Sequence, residues 1–255
     1  MLYWLLRSTA DHPALGRGEA PPGLLHPQEE ARLAALRVPK RRQDWLLGRW
    51  TAKHLLQGWL EAATGERPPP DRLPVLADPD GAPYAALAGR GPEPQPQRLA
   101  TSLSISHSGQ WGFCALCDDA GRTVGADIER IEPRAHGFAE TFFAPAELAA
   151  LDAASPDQRD VLITATWCAK EAVLKALRLG LRADTCRVTC RLAEPGAPPR
   201  QWSRLFVKTG PVLQPAGGPT DFAGWWAINE GYALALVVAG RDLLTDLPPP
   251  APFEM

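Results

Sequence analysis

At 255 residues the chain has room for one large domain or two small ones, and its 45% apolar and 22% charged content excludes a disordered or fibrous protein. The 27 basic and 29 acidic residues leave a net charge of −2, which excludes a general polyanion-binding field and confines any nucleic-acid binding to a local patch. Five cysteines, an odd number, favour reduced thiols in a cytoplasmic protein over a disulfide framework.

The opening run Met1-Leu2-Tyr3-Trp4-Leu5-Leu6 has no basic leader, and Arg7 interrupts it before a signal-peptide core could form, so it reads as a first strand. Residues 27–38 follow as a helix with Pro27 at the first helical position, and a long helical segment over 43–63 ends near Gly65. Two short strands, 103–107 and 111–117, are joined by Ser108-Gly109-Gln110. After the turn Asp118-Asp119-Ala120-Gly121, residues 123–131 alternate and are expected to complete a three-stranded meander. A helix then covers 156–179, and strands at 188–192, 205–209, 225–229 and 232–238 form a second antiparallel sheet. Proline-rich stretches at 67–72, 89–97, 194–201, 210–220 and 248–252 read as loops or chain ends. The late apolar stretch 222–240 is broken by Asn229 and Glu230, too soon for a membrane helix. No short tandem repeat is visible. The pattern is α+β: two similar subdomains, 1–118 and 119–255, each a small antiparallel sheet packed with helices.

Cys114-x-x-Cys117 and Cys186-x-x-x-Cys190 have spacings that resemble zinc ligands. On a strand, however, the first pair points to opposite faces, and the second pair stands about 13 Å apart. Structural zinc is not expected.

Chemistry concentrates elsewhere. In Val124-Gly125-Ala126-Asp127-Ile128-Glu129 a strand puts Gly125, Asp127 and Glu129 on one face. Two carboxylates about 6.6 Å apart need a proton or a cation between them, and a hard divalent ion suits the pair, with Gly125 leaving room beside it. The plainer reading is a solvated strand end with Glu129 near Arg130. On the helix, Val161, Leu162, Ala165, Ala169, Ala172, Val173 and Ala176 form a buried stripe. Glu171 and Lys175 are neighbours off that stripe, where they would ordinarily be a surface pair contributing about 0.3 kcal/mol. Trp167 and Leu174 flank them on the face opposite the stripe, which suggests a second contact surface with Glu171 and Lys175 at the edge of a cleft. Ser104-Ile105-Ser106-His107-Ser108-Gly109 ends a strand, with His107 and Ser106 able to meet a phosphate or simply to form a turn. Arg42, Arg49 and Lys53 make a basic stripe, either a solvated face or a phosphate contact.

Together these segments resemble the Sfp-type 4′-phosphopantetheinyl transferases over residues 40–240. The resemblance rests on six segments in order: Trp45-Leu-Leu-Gly-Arg-Trp-Thr-Ala-Lys53, Asp80-Gly-Ala-Pro83, Ser104-Ile-Ser-His-Ser108, Val124-Gly-Ala-Asp-Ile-Glu129, Phe142-Phe-Ala-Pro-Ala-Glu147 and Trp167-Cys-Ala-Lys-Glu-Ala-Val-Leu-Lys175. It implies transfer of the phosphopantetheine arm of coenzyme A to a serine of an acyl, polyketide or peptidyl carrier protein, releasing adenosine 3′,5′-bisphosphate. The site would lie in the cleft between the subdomains. By that resemblance Asp127, Glu129 and Glu171 hold Mg²⁺, or Mn²⁺ in its place, and Lys175 adds positive charge beside the phosphates. Glu171 takes the serine proton directly or through a metal-bound water. His107 and Ser106 would contact a coenzyme A phosphate, and Arg49, Lys53 and Arg42 suit the 3′-phosphate. The carrier would dock near 142–151 and around Trp167. Relatives of this type are commonly monomeric, with neither nucleic acid nor membrane as partner. One departure is Ala82: several relatives carry Lys there, so that phosphate contact is absent or supplied elsewhere. Two other readings of the same acidic cluster are a metal-dependent phosphodiesterase or nuclease, and a silent module that binds coenzyme A or a carrier without turnover.

Overall fold

A computed structural model describes residues 1–89, 95–194, 202–210, 221–241, 243 and 251–252; of the proline-rich stretches, 90–94, 195–201, 211–220 and 244–250 lie outside the described residues. The chain divides into two units, Met1–Ala120 with a short C-terminal strand, and Gly121–Pro250.

The first unit begins with β1 (Leu2–Ser8) and α1 (Pro13–Gly16), followed by α2 (Pro27–Ala35) and α3 (Pro39–Thr64). Both longer helices start with proline at the first helical position, where its fixed φ is pre-set and its missing N–H costs nothing. The expected helix over 27–38 stops at Ala35 because Pro39 opens the next one, and α3 therefore starts four residues before the expected 43. Its C-terminus is closed by Gly65 in the left-handed region (φ 76°). Strands β2 (Val75–Ala77), β3 (Pro83–Leu87) and β4 (Gln97–Arg98) form a small sheet, while β5 (Ser102–Ser108) and β6 (Trp111–Cys117) form a hairpin. The hairpin joins β1 and β12 (Ala251–Pro252) in the order β12-β1-β6-β5. One face of α3, with Ala52, Leu55, Leu56 and Leu60, packs on Leu5, Cys114 and Leu116 of this sheet.

The second unit comprises β7 (Thr123–Arg130), α4 (Phe138–Phe142), α5 (Pro145–Asp152), α6 (Pro156–Ala176), β8 (Val188–Leu192), β9 (Ser203–Thr209), β10 (Asp221–Asn229) and β11 (Tyr232–Gly240). Its five antiparallel strands run β7-β11-β10-β9-β8, and α6 covers β7 and β11. The expected meander of 103–131 does not form. Strand β7 pairs with β11 from Thr123↔Ala239 to Arg130↔Tyr232. The reason is topological: β6 already has β1 on one edge and β5 on the other, so no edge is left for β7.

The two units repeat one plan: a strand, a short helix, two longer helices that each begin with proline, then antiparallel strands of which the last returns beside the first. The repetition extends to a buried ion pair in each. Glu29, two residues after Pro27, accepts from His26 N at 3.1 Å and Val75 N at 3.0 Å and pairs with Lys53. Glu147, two residues after Pro145, accepts from Ala144 N at 2.7 Å and Cys190 N at 2.7 Å and pairs with Lys170 at 2.7 Å. Each lysine ends a Trp-x-x-Lys segment, 50–53 and 167–170, and donates to two further carbonyls: Leu24 and Pro70 for Lys53, Thr185 and Val188 for Lys170. A buried carboxylate is tolerable only when its oxygens are paired and hydrogen-bonded, and here both are. These pairs tie each long helix to the preceding short helix and to a strand.

All five cysteines are free thiols. No helix among the described residues is long and apolar enough to cross a membrane.

Candidate functional site

The acidic residues of the second unit are brought together by one close approach. Gly125 lies under α6: a Cβ built there would stand 1.8 Å from the Ala172 carbonyl oxygen and 2.7 Å from Ala176 N. The room expected beside Gly125 is thus filled by helix backbone. This puts Asp127 of β7 against Glu171 and Lys175 of α6. Asp127 is only 4% exposed, and Lys175 Nζ donates to its Oδ1 at 2.7 Å and to the Ala126 carbonyl at 3.1 Å. Lys175 retains 29% side-chain exposure. Glu129, farther along the same face, accepts from Arg134 Nη2 at 2.9 Å. The Oε1 of Glu171 is buried and has no hydrogen-bond partner among the described residues.

Electrostatics follow from that crowding. Burial, and then the Asp127 charge, push Glu171 up to about 7 against the opposing pull of Lys175. Glu129 is raised by burial and by Asp127, with Arg134 and Lys175 restraining it. Burial works to lower Lys175, but the Asp127 carboxylate outweighs it and holds the ammonium above its usual value. The Cys168 thiol, buried beside Asp127 and donating to the Ala233 carbonyl at 3.4 Å, is pushed well up by burial and stays protonated.

The donors are carboxylate oxygens, the hard ligands that suit Mg²⁺, and a buried unpartnered Oε1 beside two like charges calls for a cation. The set fits a hard divalent ion in kind and charge. With Asp127 turned to Lys175 and Glu129 to Arg134, no three such side chains among the described residues converge as a ready cage.

The α6 expectations hold in part. Ala165, Ala169, Ala172, Val173 and Ala176 are in the core, but Leu174, expected on the opposite face, is equally buried there. Val161 and Leu162 are only half-buried, Leu162 packing instead against the group of Ala139, Phe143, Leu151 and Ile163. Glu171 and Lys175 are therefore not a surface pair. Trp167 does lie outside that core, in a half-buried aromatic group with Phe138 and Phe142 at centroid distances of 5.0–5.2 Å. Phe143, within the expected carrier-docking stretch, is buried instead.

In the first unit, Ser106 is buried on β5, and the neighbouring His107 is 45% exposed. The basic stripe on α3 is largely consumed inside the fold. Arg42 donates to the carbonyls of Leu33 at 2.7 Å and Leu36 at 3.3 Å. Lys53 is fully enclosed, with its ammonium on Glu29, Leu24 and Pro70. That arrangement is a structural ion pair in which all three ammonium protons have partners inside the fold, in place of the expected 3′-phosphate contact from Lys53. Arg49 sits over the Trp45 ring at 4.6 Å and 3.6 Å from Glu29, with 14% of its side chain exposed; burial lowers its pKa. Sequence reasoning missed Glu29, Arg134, Glu147 and Lys170. The signal for three of them was available in the twice-used Pro-x-Glu and Trp-x-x-Lys spacings.

A cavity of about 940 Å³ opens elsewhere in the second unit, between α5, α6 and the β8–β9 edge, lined by Leu151, Leu162, Leu205 and Phe222 among others. None of Asp127, Glu129, Glu171 or Lys175 lines it.

Residues 123–237 match the family model described as the 4′-phosphopantetheinyl transferase superfamily, and this span contains all four residues of the acidic cluster. A 4′-phosphopantetheinyl transferase of Bacillus subtilis is 34% identical over 140 residues, 55% of this chain and 56% of that protein. One of Mycobacterium tuberculosis is 28% identical over 229 residues, 86% of this chain and 88% of that protein. The chain thus aligns with little more than half the length of the Bacillus relative. Among solved structures, the holo-[acyl-carrier-protein] synthase of Neisseria meningitidis aligns with 46% of this chain and 97% of its own at 21% identity and TM-score 0.39. That of Helicobacter pylori, solved with coenzyme A, aligns with 46% and 100% at 18% identity and TM-score 0.37. The strand and helix that carry Asp127, Glu129, Glu171 and Lys175 thus lie in the part of the chain that is similar to the 4′-phosphopantetheinyl transferase superfamily.

Proposed function

We propose that the protein transfers the 4′-phosphopantetheine group of coenzyme A to a serine of an acyl, polyketide or peptidyl carrier protein and releases adenosine 3′,5′-bisphosphate. The observation that carries this reading is the family match over 123–237 coinciding with a part-buried cluster of three carboxylates and one lysine. Asp127, Glu129 and Glu171 would hold Mg²⁺. When bound, the ion would neutralise charge on the pyrophosphate.

The protein's own groups account for the rest. The carrier serine Oγ attacks the phosphorus that bears pantetheine, and the bond from that phosphorus to the bridging oxygen breaks. The electron pair leaves on the 5′-phosphate of adenosine 3′,5′-bisphosphate. Glu171, held near neutrality by burial and by Asp127, is suited to accept the serine proton. Lys175, kept charged by Asp127, supplies positive charge beside the phosphates. Ser106 and His107 would meet a coenzyme A phosphate, with Arg42 and Arg49 as the cations of the α3 stripe that are not fully enclosed. The aromatic group of Phe138, Phe142 and Trp167 is a candidate carrier contact. A cytoplasmic monomer is the expected form.

Intact-mass spectrometry of apo carrier proteins incubated with coenzyme A and Mg²⁺ tests this reading. One phosphopantetheine gain is expected, lost with EDTA and in a folded Asp127→Ala variant. Transfer retained by that variant would remove the metal assignment, and no gain on any carrier together with no coenzyme A binding would remove the function.

A further inference from the structure

At the start of α3, Lys40 and Asp44 form a close i,i+4 ion pair. Helix stability does not explain it. Lys40 is the second residue of the helix, where the macrodipole disfavours a cation, and Lys preceding Asp is the weaker order for such a pair. Asp44 is also only 15% exposed, which an ordinary solvated pair does not require. Its second oxygen explains the placement: Oδ2 faces His107 Nδ1 at 3.8 Å. Lys40 Nζ in turn reaches the Gly109 carbonyl at 3.5 Å, in the turn that follows β5. Lys40 and Asp44 together therefore brace both the side chain of His107 and the turn two residues beyond it. An imidazole whose Nδ1 is turned to a carboxylate has its ring orientation set and presents Nε2 on the opposite edge.

We propose that Asp44, clamped by Lys40, is the positioning residue that aims His107 at a phosphate of coenzyme A. The proposal rests on the reading of His107 given under the proposed function. It makes a prediction of definite sign. A carboxylate whose only effect was long-range would repel a phosphate, so its neutralisation would tighten coenzyme A binding. A positioning carboxylate does the reverse: its loss removes a constraint on the ring, and a charge-assisted hydrogen bond is weakened.

The test compares Asp44→Asn, Asp44→Glu, His107→Ala and the Asp44→Asn/His107→Ala pair by carrier mass gain at varied coenzyme A. Asp44→Asn should raise KM for coenzyme A by about tenfold, the scale of one weakened charge-assisted bond, with kcat little changed. Asp44→Glu should recover most of the loss, and the double variant should be no worse than His107→Ala. A second readout needs no turnover: the His107 ring nitrogen shifts in long-range ¹H–¹⁵N spectra should move in Asp44→Asn and return in Asp44→Glu. If His107→Ala raises KM while Asp44→Asn leaves it unchanged or lowers it, the positioning role is wrong and the function stands. If His107→Ala leaves KM unchanged, the phosphate contact and the positioning role both fail.

Discussion

Replacing Gly125 by Ala should cost both stability and transfer, because the site depends on how closely β7 approaches α6. The added Cβ would lie 1.8 Å from the Ala172 carbonyl oxygen and 2.7 Å from Ala176 N, both backbone atoms that no rotamer change can move aside. Carbon and oxygen normally approach no closer than about 3.3 Å, so strand and helix must separate by about 1.5 Å. Over-packing of this kind costs about 1–3 kcal/mol, which at roughly 2–4 °C per kcal/mol is a fall of several degrees in the thermal midpoint. The same opening draws Glu171 and Lys175 away from Asp127, and misplacement by about 1 Å at a reacting centre costs on the order of a hundredfold in rate. Gly210→Ala is the control, since among the described residues its Cβ would meet nothing nearer than the Arg187 carbonyl at 3.8 Å. Thermal unfolding and the carrier mass assay read the two effects. A Gly125→Ala protein with wild-type midpoint and wild-type transfer would refute the reasoning.

Two further expectations follow from the buried charges. Lys53→Met leaves Glu29 buried without its ammonium and should lower stability by about 3–5 kcal/mol in denaturant titrations, with little change in KM for coenzyme A where the variant is folded. Unchanged stability with a raised KM would restore Lys53 as a phosphate ligand. For Glu171, the folded pKa of about 7 lies above the ordinary 4.5, so between those values the folded chain holds a proton that the unfolded chain has released. Stability attributable to this group is therefore highest at or below pH 4.5 and falls as pH rises through 7. Glu171→Gln should raise the thermal midpoint above pH 7 and change it little near pH 4.5; a uniform offset across that range would mean that this titration is not the cause.

Much of the site was legible because its chemistry is local. Alternation alone puts Asp127 and Glu129 on one strand face, and a four-residue helical spacing alone makes Glu171 and Lys175 neighbours. The helix and strand segments were likewise readable from prolines, glycines and apolar periodicity, including Gly65 as the stop of α3. Pairing was not. Residues 123–130 carry the same local signals whichever strand they join, and only the occupied edges of β6 send them to β11. Burial of charge was equally hidden: Lys53 and Arg42 look like a basic surface on a helical projection. Their carbonyl and carboxylate partners come from Leu24, Glu29, Leu33, Leu36 and Pro70, which the chain brings near only on folding. The sequence by itself determined which residues could do chemistry, since side-chain type and short-range geometry are set by the covalent chain. Tertiary structure alone decided which of them are spent inside the fold and which remain at the site. Desolvation and ion pairing depend on what packs around a group, and that is a property of contacts between residues distant in sequence.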